Sequence, residues 1–462
     1  MPLPHGAAEG NPLGDVLADR KLSLAGLARL YLQAVAADGL RSSADRNLMW
    51  KWKTGRRTPT PESQGYLADA LGVPRSVIVE GWPQWLRHAI SSVASLLEPP
   101  WSLAGTMQVL HELAGGSVDR RGFVVITAGA LTTLVGRWSD AVAGSSLATG
   151  LPSSSQDRLN PELLDRLSGR LADLRHFDDA LGGIELRGLA VAEFRWLVHL
   201  ADHAVFDTDS GQRLFSLIAE AARLCGWLYF DARLHGAAQS YSVAALRSSA
   251  TANDSLTGAN VLACMSLQAT LNNNHQDAVS LIDSAQQQVR HNATPRLTAM
   301  LASRKARAYA KVGDAMACGR ALVNAERSLD AATADVTEPD WLYYFDEAEL
   351  AAQAASCWVD LRQPARARPL IDDALRSISP KYVRDRAIYH VRSVEAYLHE
   401  NELEPACHEL RTAADLARQS GSVRSIETIR TARLSMSPYD HEAPVRELDD
   451  HLRVLNIQTV GR

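Results

Sequence analysis

Six cationic side chains, Arg41, Arg46, Lys51, Lys53, Arg56 and Arg57, fall within residues 41–57 against the single carboxylate of Asp45. Residues 46–57 read RNLMWKWKTGRR, so two tryptophans, one asparagine and one glycine share the stretch. Arginine or asparagine at the start of a helix can read base edges in a major groove, and lysine or arginine in a turn suits phosphate. The whole chain carries a net charge of −5, yet residues 1–88 carry +3 and the remainder −8. A local basic module on an acidic body is what contact with a polyanion requires. The competing reading is a solvated cationic face around a core tryptophan, the usual role of a charge run.

The elements before and after this stretch favour the first reading. Asn11-Pro12 opens a helix through Asp19, with asparagine as cap and proline in the first turn. Ser23 caps a second helix whose Leu24, Leu27, Ala28, Tyr31 and Val35 share one face, and Gly39 closes it. Ser42-Ser43 are expected to cap a third, which ends at Gly55 in a left-handed stop. Thr60-Pro61-Glu62 starts a fourth, ended by Gly72 and Pro74. In the third helix Met49 and Trp52, three apart, are expected to face the core. Asn47, Trp50, Lys51 and Lys53 then lie on exposed sides, with Arg46 near the start and Arg56 and Arg57 in the basic turn. Arg46, Asn47, Trp50, Lys51, Lys53, Arg56 and Arg57 are therefore the candidate contacts to double-stranded DNA.

Beyond this module the composition predicts an all-α chain, since alanine and leucine recur and aromatics make up only 6%. Domains are expected at residues 1–82, a helix-turn-helix, and 158–462, a helical repeat array, with a helical connector and linker over 83–157. The linker is the Ser- and Gly-rich run of residues 143–157. Arg120-Arg121 precede an uncharged run from Gly122 to Gly136 that imitates an export signal. Its fifteen residues fall short of the about 20 that cross a bilayer, so a buried helix or hinge is expected.

The array announces itself by period. Ala238, Ala278, Cys318, Ala367 and Ala406 begin equivalent segments at separations of 40, 40, 49 and 39. Seven residues later stand Ala245, Ala285, Ala325, Ala374 and Ala413; twelve residues earlier stand Gly226, Ser266, Ala306, Ala355 and Val394. Tyr229, Ala269, Tyr309, Trp358 and Tyr397 follow that last set by three. This is a tetratricopeptide arrangement, with small residues where antiparallel helices converge. Helices at PELLDRLSGRLADLRHF and RGLAVAEFRWLVHLADHAV are expected to extend the array, and SVRSIETIRTARLSM with VRELDDHLRVL to cap it. Its concave face predicts a groove for a peptide or small-molecule ligand, lined by Glu220, Arg223, Trp227, Asn260, Arg307, Lys311, Glu349, Ser356, Glu395 and His399. Solvated helix faces are the alternative. Trp341, Tyr343, Tyr344 and Phe345, in the longest gap between repeats, suit either core packing or a ligand anchor.

Little else in the chain asks for chemistry. His199 and His203 are four apart, but no third ligand has a defining spacing, so a polar helix face is expected and no metal. DTDSG at 207–211 starts like a calcium loop, but Ile218 stands where the bidentate glutamate is needed. The five cysteines have no zinc-like spacing and read as small buried side chains in a reducing cytoplasm. No phosphate-loop, dinucleotide, zinc-protease or nucleophile-elbow motif appears, so neither an enzyme nor a cofactor is expected.

The blocks LSLAGLARL, ADGLRSSADRNLMWKWKTGRRTPTPE and GYLADALGVP resemble the N-terminal helix-turn-helix of actinobacterial regulators related to the Xre/Cro repressor class. The segment WLYYFDEAELAAQAASCWVDLRQPARARPLIDDAL resembles their C-terminal tetratricopeptide half. This resemblance implies a cytoplasmic transcriptional regulator, in a family linked to morphological development and secondary metabolism. Two departures stand out: a longer connection between the second and third helices, Leu32 to Ser43, and Lys53 where many relatives place a glutamate. The combined expectation is a homodimeric DNA-binding regulator without membrane contact, its repeats serving dimerisation and ligand sensing. The alternative is a tetratricopeptide scaffold that acts on another regulator.

Overall fold

The computed structural model describes residues 12–19, 22–38, 40–71, 78, 81–83, 85–86, 96–115, 128–144, 159–181 and 183–457. Four short helices come first: α1 (Leu13–Asp19), α2 (Leu24–Ala37), α3 (Arg46–Lys53) and α4 (Pro61–Ala70). Their caps follow from residue type. Ser23 Oγ accepts from Gly26 N at 3.0 Å, and Thr60 Oγ1 accepts from Ser63 N at 3.2 Å ahead of Pro61. Leu27, Ala28, Tyr31 and Val35 of α2 are buried with Leu13, Met49, Trp52 and Leu67 in a core of their own. The caps expected from Asn11, Gly39, Gly72 and Pro74 lie outside the described residues.

That core also takes in Trp85 and Leu86, beyond the boundary expected at residue 82. Trp85 Nε1 donates to Gln64 Oε1 at 2.9 Å, and Gln64 Nε2 donates to the carbonyl of Pro59 at 3.0 Å. A buried amide satisfied at both ends ties this segment to α4.

The region expected to be a connector contributes two helices to the second body: α5 (Leu103–Gly115) and α6 (Ala128–Gly144). Leu110, Leu113, Leu134 and Trp138 are buried in the large repeat core. Helix α6 covers the end of the apolar run, and among the described residues no helix is long and apolar enough to cross a membrane. Arg120-Arg121 and residues 145–157 of the expected linker lie outside the described residues.

Helices α7 (Pro161–Leu181) and α8 (Gly183–His203) lead into five helix pairs. The pairs are α9 (Thr208–Asp231) with α10 (His235–Thr251), α11 (Ser255–Leu271) with α12 (His275–Val289), α13 (Pro295–Lys311) with α14 (Ala315–Asp330), α15 (Glu347–Asp360) with α16 (Pro364–Ser377), and α17 (Val383–His399) with α18 (Leu403–Ser420). Helices α19 (Val423–Ser435) and α20 (Ala443–Val454) pack on α18 and end the array. No strand element occurs among the described residues, and the fold is an all-α helical array compatible with an α-solenoid. Ala238, Ala278, Cys318, Ala367 and Ala406 are each the fourth residue of a second helix, and all are buried. Gly226, Ser266, Ala306, Ala355 and Val394, opposite them on the first helices, are buried too.

The turn inside each pair repeats as well. Arg233, Asn273, Gly313, Arg362 and Asn401 have φ of 63°, 61°, 80°, 55° and 62°. Each stands two residues past its first helix. The next residue's N–H donates back to the carbonyl of Tyr229, Ala269, Tyr309, Trp358 or Tyr397 at 2.8–3.0 Å. This left-handed stop satisfies a helix-end carbonyl, at little cost to Gly or Asn and at a steric cost to Arg. Replacing exposed Arg362 by Asn is expected to raise the stability of the array by about 0.5–1 kcal/mol, and Gly313→Arg to lower it by about 1–2 kcal/mol. Denaturation midpoints of the two variants check this.

Candidate nucleic-acid interface and enclosed ligand cavity

Asp45, not Ser42 or Ser43, caps α3: its carboxylate accepts from Leu48 N at 2.8 Å, while Ser42 Oγ accepts from Ala44 N within the preceding loop. An anion beside the first free N–H groups of a helix is favoured by the helix dipole. Because α2 runs through Ala37, the connection spans residues 38–45 rather than Leu32 to Ser43. Met49 and Trp52, 0% and 2% exposed, anchor α3, and the Trp52 ring meets Tyr31 edge-on at 5.4 Å.

This anchoring leaves Arg46, Asn47, Lys53, Arg56 and Arg57 exposed, and Trp50 and Lys51 half-buried. Spacings of three and four put Arg46, Asn47, Trp50 and Lys53 on one side of the helix. The basic turn is held against it: Thr54 Oγ1 donates to the Trp50 carbonyl at 2.9 Å, Arg57 N donates to the Lys51 carbonyl at 3.2 Å, and Gly55 has φ 71°. The Arg56 guanidinium lies 4.6 Å above the Trp50 ring, a cation–π contact that fixes its position. None of the seven candidate side chains has a carboxylate partner among the described residues.

The expected groove is divided in two. Arg223, Trp227, Asn260 and Glu349 line one partly open cavity, bounded by all five first helices and by α7, and Glu220 stands behind it, paired with Arg175. Arg307, Lys311 and Glu395 belong instead to a charge network at the far ends of α13, α15 and α17. There Asp360 takes Arg307 at 3.2 Å and Lys311 at 2.8 Å, and Arg392 pairs with Glu395. Burial alone would raise the Asp360 carboxyl, but Arg307, Arg392 and Lys311 outweigh it and hold it below the ordinary value. Ser356 is buried in its helix pair, and His399 is exposed at the end of α17. None of these five lines the cavity, although Arg307 is only one turn beyond Arg304 on α13.

Helix α7 supplies groups that the sequence reading missed. Arg384 of α17 donates to both carboxylate oxygens of Asp178 at 2.9 and 3.0 Å, and Trp227 Nε1 donates to the same carboxylate at 3.1 Å. Arg424 of α19 donates to Asp231 at 3.0 Å, and the guanidinium groups of Arg384 and Arg424 lie 5.5 and 5.2 Å from the Trp227 ring. Burial would raise Asp231, but Arg424 and Arg384 hold its carboxyl below the ordinary value. The Arg175 guanidinium pairs with Glu220; burial and the neighbouring Arg223 lower it to about 10. Tyr343 donates its hydroxyl to Asp179, and Trp341, Tyr343 and Tyr344 form one wall. The aromatic cluster is thus shared: Phe345 is core, and the other three face the cavity. Only one signal of these partners was available beforehand, the unusual length of the gap that carries the aromatics.

A more open depression of about 820 Å³ lies beside residues 98–104. Its guanidinium groups are engaged: Arg247 donates to the carbonyls of Leu96, Pro99 and Pro100, and Arg137 to that of Leu97. The imidazoles of His199 and His203 lie 4.1 Å apart, tilted by 35°, with His203 Nδ1 2.9 Å from the His199 carbonyl. Among the described residues no three His, Cys, Asp or Glu side chains are placed to hold a metal ion. Asp207 of the DTDSG segment caps α9 by accepting from Ser210 N at 2.8 Å. Cys225, Cys318, Cys357 and Cys407 are buried, Cys264 is half-buried, and all five are free. No protein-family model and no curated protein matches this chain.

Burial raises the Asp179 carboxyl from 3.8 to about 6, against the opposing pull of the Tyr343 hydroxyl and Arg384. A carboxyl raised on folding binds its proton more tightly in the folded chain. The stability it contributes is complete below pH 3.8 and is lost as the pH rises through about 6. Asp179→Asn is therefore expected to gain stability over the unaltered protein between pH 4.5 and 7.5, by up to about 3 kcal/mol. Parallel melting curves across that range check the sign.

Proposed function

We propose that the protein is a sequence-specific DNA-binding transcriptional regulator that acts in the cytoplasm as a homodimer, its repeat body sensing a ligand. One observation carries the reading: α3 is held by Met49 and Trp52 so that Arg46, Asn47 and a pinned basic turn face outward together, with no carboxylate partners among the described residues. A short helix presenting its N-terminal side chains to base edges, with cations in the turn for phosphates, is the geometry of a recognition helix. One small module makes too few contacts for tight specific binding, so two copies on paired half-sites are proposed. The resemblance of residues 22–74 to actinobacterial Xre-type regulators extends the proposal to genes of development or secondary metabolism.

The alternative, a tetratricopeptide scaffold whose repeats bind another regulator, is less well supported for a partner in the concave face. Helix α7 occupies that face and its Asp178 and Asp179 bind residues of the array. A ligand would act by favouring one of two arrangements that differ in affinity for DNA.

Selection of duplexes from a random pool, followed by binding measured against salt, tests the proposal. Lys53→Ala, Arg56→Ala and Arg57→Ala are each expected to reduce the slope of log K against log salt by about 1. Arg46→Ala and Asn47→Ala are expected to cost about 1–3 kcal/mol on the selected site and to relax the base preference at one position each. Binding that is independent of salt, or indifferent to all five changes, overturns the reading.

A further inference from the structure

The cavity closed by α7 has a volume of about 100 Å³. An apolar cavity of roughly 150 Å³ admits a benzene ring, so only a compact molecule fits here. The walls differ in how far their charges are already matched. Asp178 holds Arg384 and Trp227, Asp179 holds the Tyr343 hydroxyl, and Glu349 holds the Tyr389 hydroxyl and the Gln353 amide. Four arginines of the wall each keep a buried N–H without an acceptor; Arg175 and Arg384 are ion-paired with Glu220 and Asp178, whereas Arg223 and Arg304 form no ion pair among the described residues. Arg223 of α9 has no ion-pair partner among the described residues, and its buried Nε has no hydrogen-bond acceptor. Arg304 of α13 is 8% exposed; the Tyr344 hydroxyl and the Glu349 carboxylate lie near it, but its buried Nη1 has no acceptor. Arg223 and Arg304 lie on either side of α11. Buried N–H groups of a guanidinium without an acceptor carry an unrecovered desolvation cost, which an anion between them removes. Close by, Leu267, Met300 and Trp341 supply an apolar wall.

We propose that this cavity binds a short-chain carboxylate, its acid group held by Arg223 and Arg304 and its hydrocarbon end against Leu267, Met300 and Trp341. The inference rests on the reading of the repeat body as a sensor, and it names the class of molecule sensed. Inorganic phosphate shares the charge but leaves the apolar wall uncovered. An amine of the same shape brings the wrong sign, and an amide brings no charge to the two guanidinium groups.

Calorimetric titration of the full-length protein with acetate, propionate, butyrate, propionamide, propylamine and inorganic phosphate tests this. Saturable binding is expected for the acids alone, tighter for propionate or butyrate than for acetate. Arg223→Gln and Arg304→Gln are each expected to weaken it by at least about tenfold. Arg304 is buried, so its variant can lose the fold; half-buried Arg223 then decides the matter, with circular dichroism confirming that the variant is folded. No saturable heat from any acid, equal binding of propionamide, binding of phosphate alone, or indifference to Arg223→Gln overturns the proposal. DNA affinity measured with and without the bound acid separates the two levels. An acid that binds without changing DNA affinity keeps the site and removes the sensing role, whereas failure to bind an acid leaves the DNA-binding result untouched.

Discussion

The repeat body turns on one buried ion pair, Arg384 of α17 with Asp178 of α7, formed between residues 206 positions apart. Both side chains are 4% exposed, so each charge has lost its water and depends on the other. A buried pair of this kind adds little net stability compared with well-packed apolar groups, but losing one partner costs about 3–5 kcal/mol. The pair therefore discriminates between arrangements. A coil of different curvature would leave a carboxylate and a guanidinium apart and unhydrated. Trp227 completes the joint: it donates to Asp178 and lies close to Arg384 and Arg424, while Arg424 in turn holds Asp231. The last helices of the array are thereby clamped to the first.

From this closure follows the character of the concave face. An open array of helix pairs offers a long groove, but here α7 fills it and the residual space is small, with charged groups on some walls and apolar side chains on another. The interruption of the period contributes too. The 49-residue step between the third and fourth pairs inserts the segment that brings Trp341, Tyr343 and Tyr344 to the cavity wall. An irregularity in spacing is thus the source of one cavity wall, because the insertion has room to turn inward where regular repeats pack closely.

The N-terminal module obeys a simpler logic. Two buried side chains three residues apart fix which way α3 faces, and everything polar on it points elsewhere as a consequence. The carboxylate of Asp45 occupies the helix N-terminus, so the outward face of α3 offers side chains rather than free N–H groups. Trp50 fixes the position of Arg56 in the basic turn.

What the sequence determined was local. Helix caps at Ser23 and Thr60, the stop at Gly55, the burial of Met49 and Trp52, and the small residues of five helix pairs all depend on contacts between residues close in the chain or at a fixed period. Such contacts leave a periodic trace, and so the all-α architecture and the small residues where paired helices meet were legible. The recurrent left-handed residue five positions before each small one was equally legible and passed unnoticed, since two of the five are arginines. The tertiary structure alone decided which inward residues meet. Asp178, Asp179 and Arg384 carry no repeat signature, and no pattern along the chain relates α7 to α17. Their pairing depends on how five helix pairs stack, which brings α17 to α7, and on helix rotation, which turns Arg307 and Lys311 toward Asp360 while Arg223 and Glu349 line the cavity.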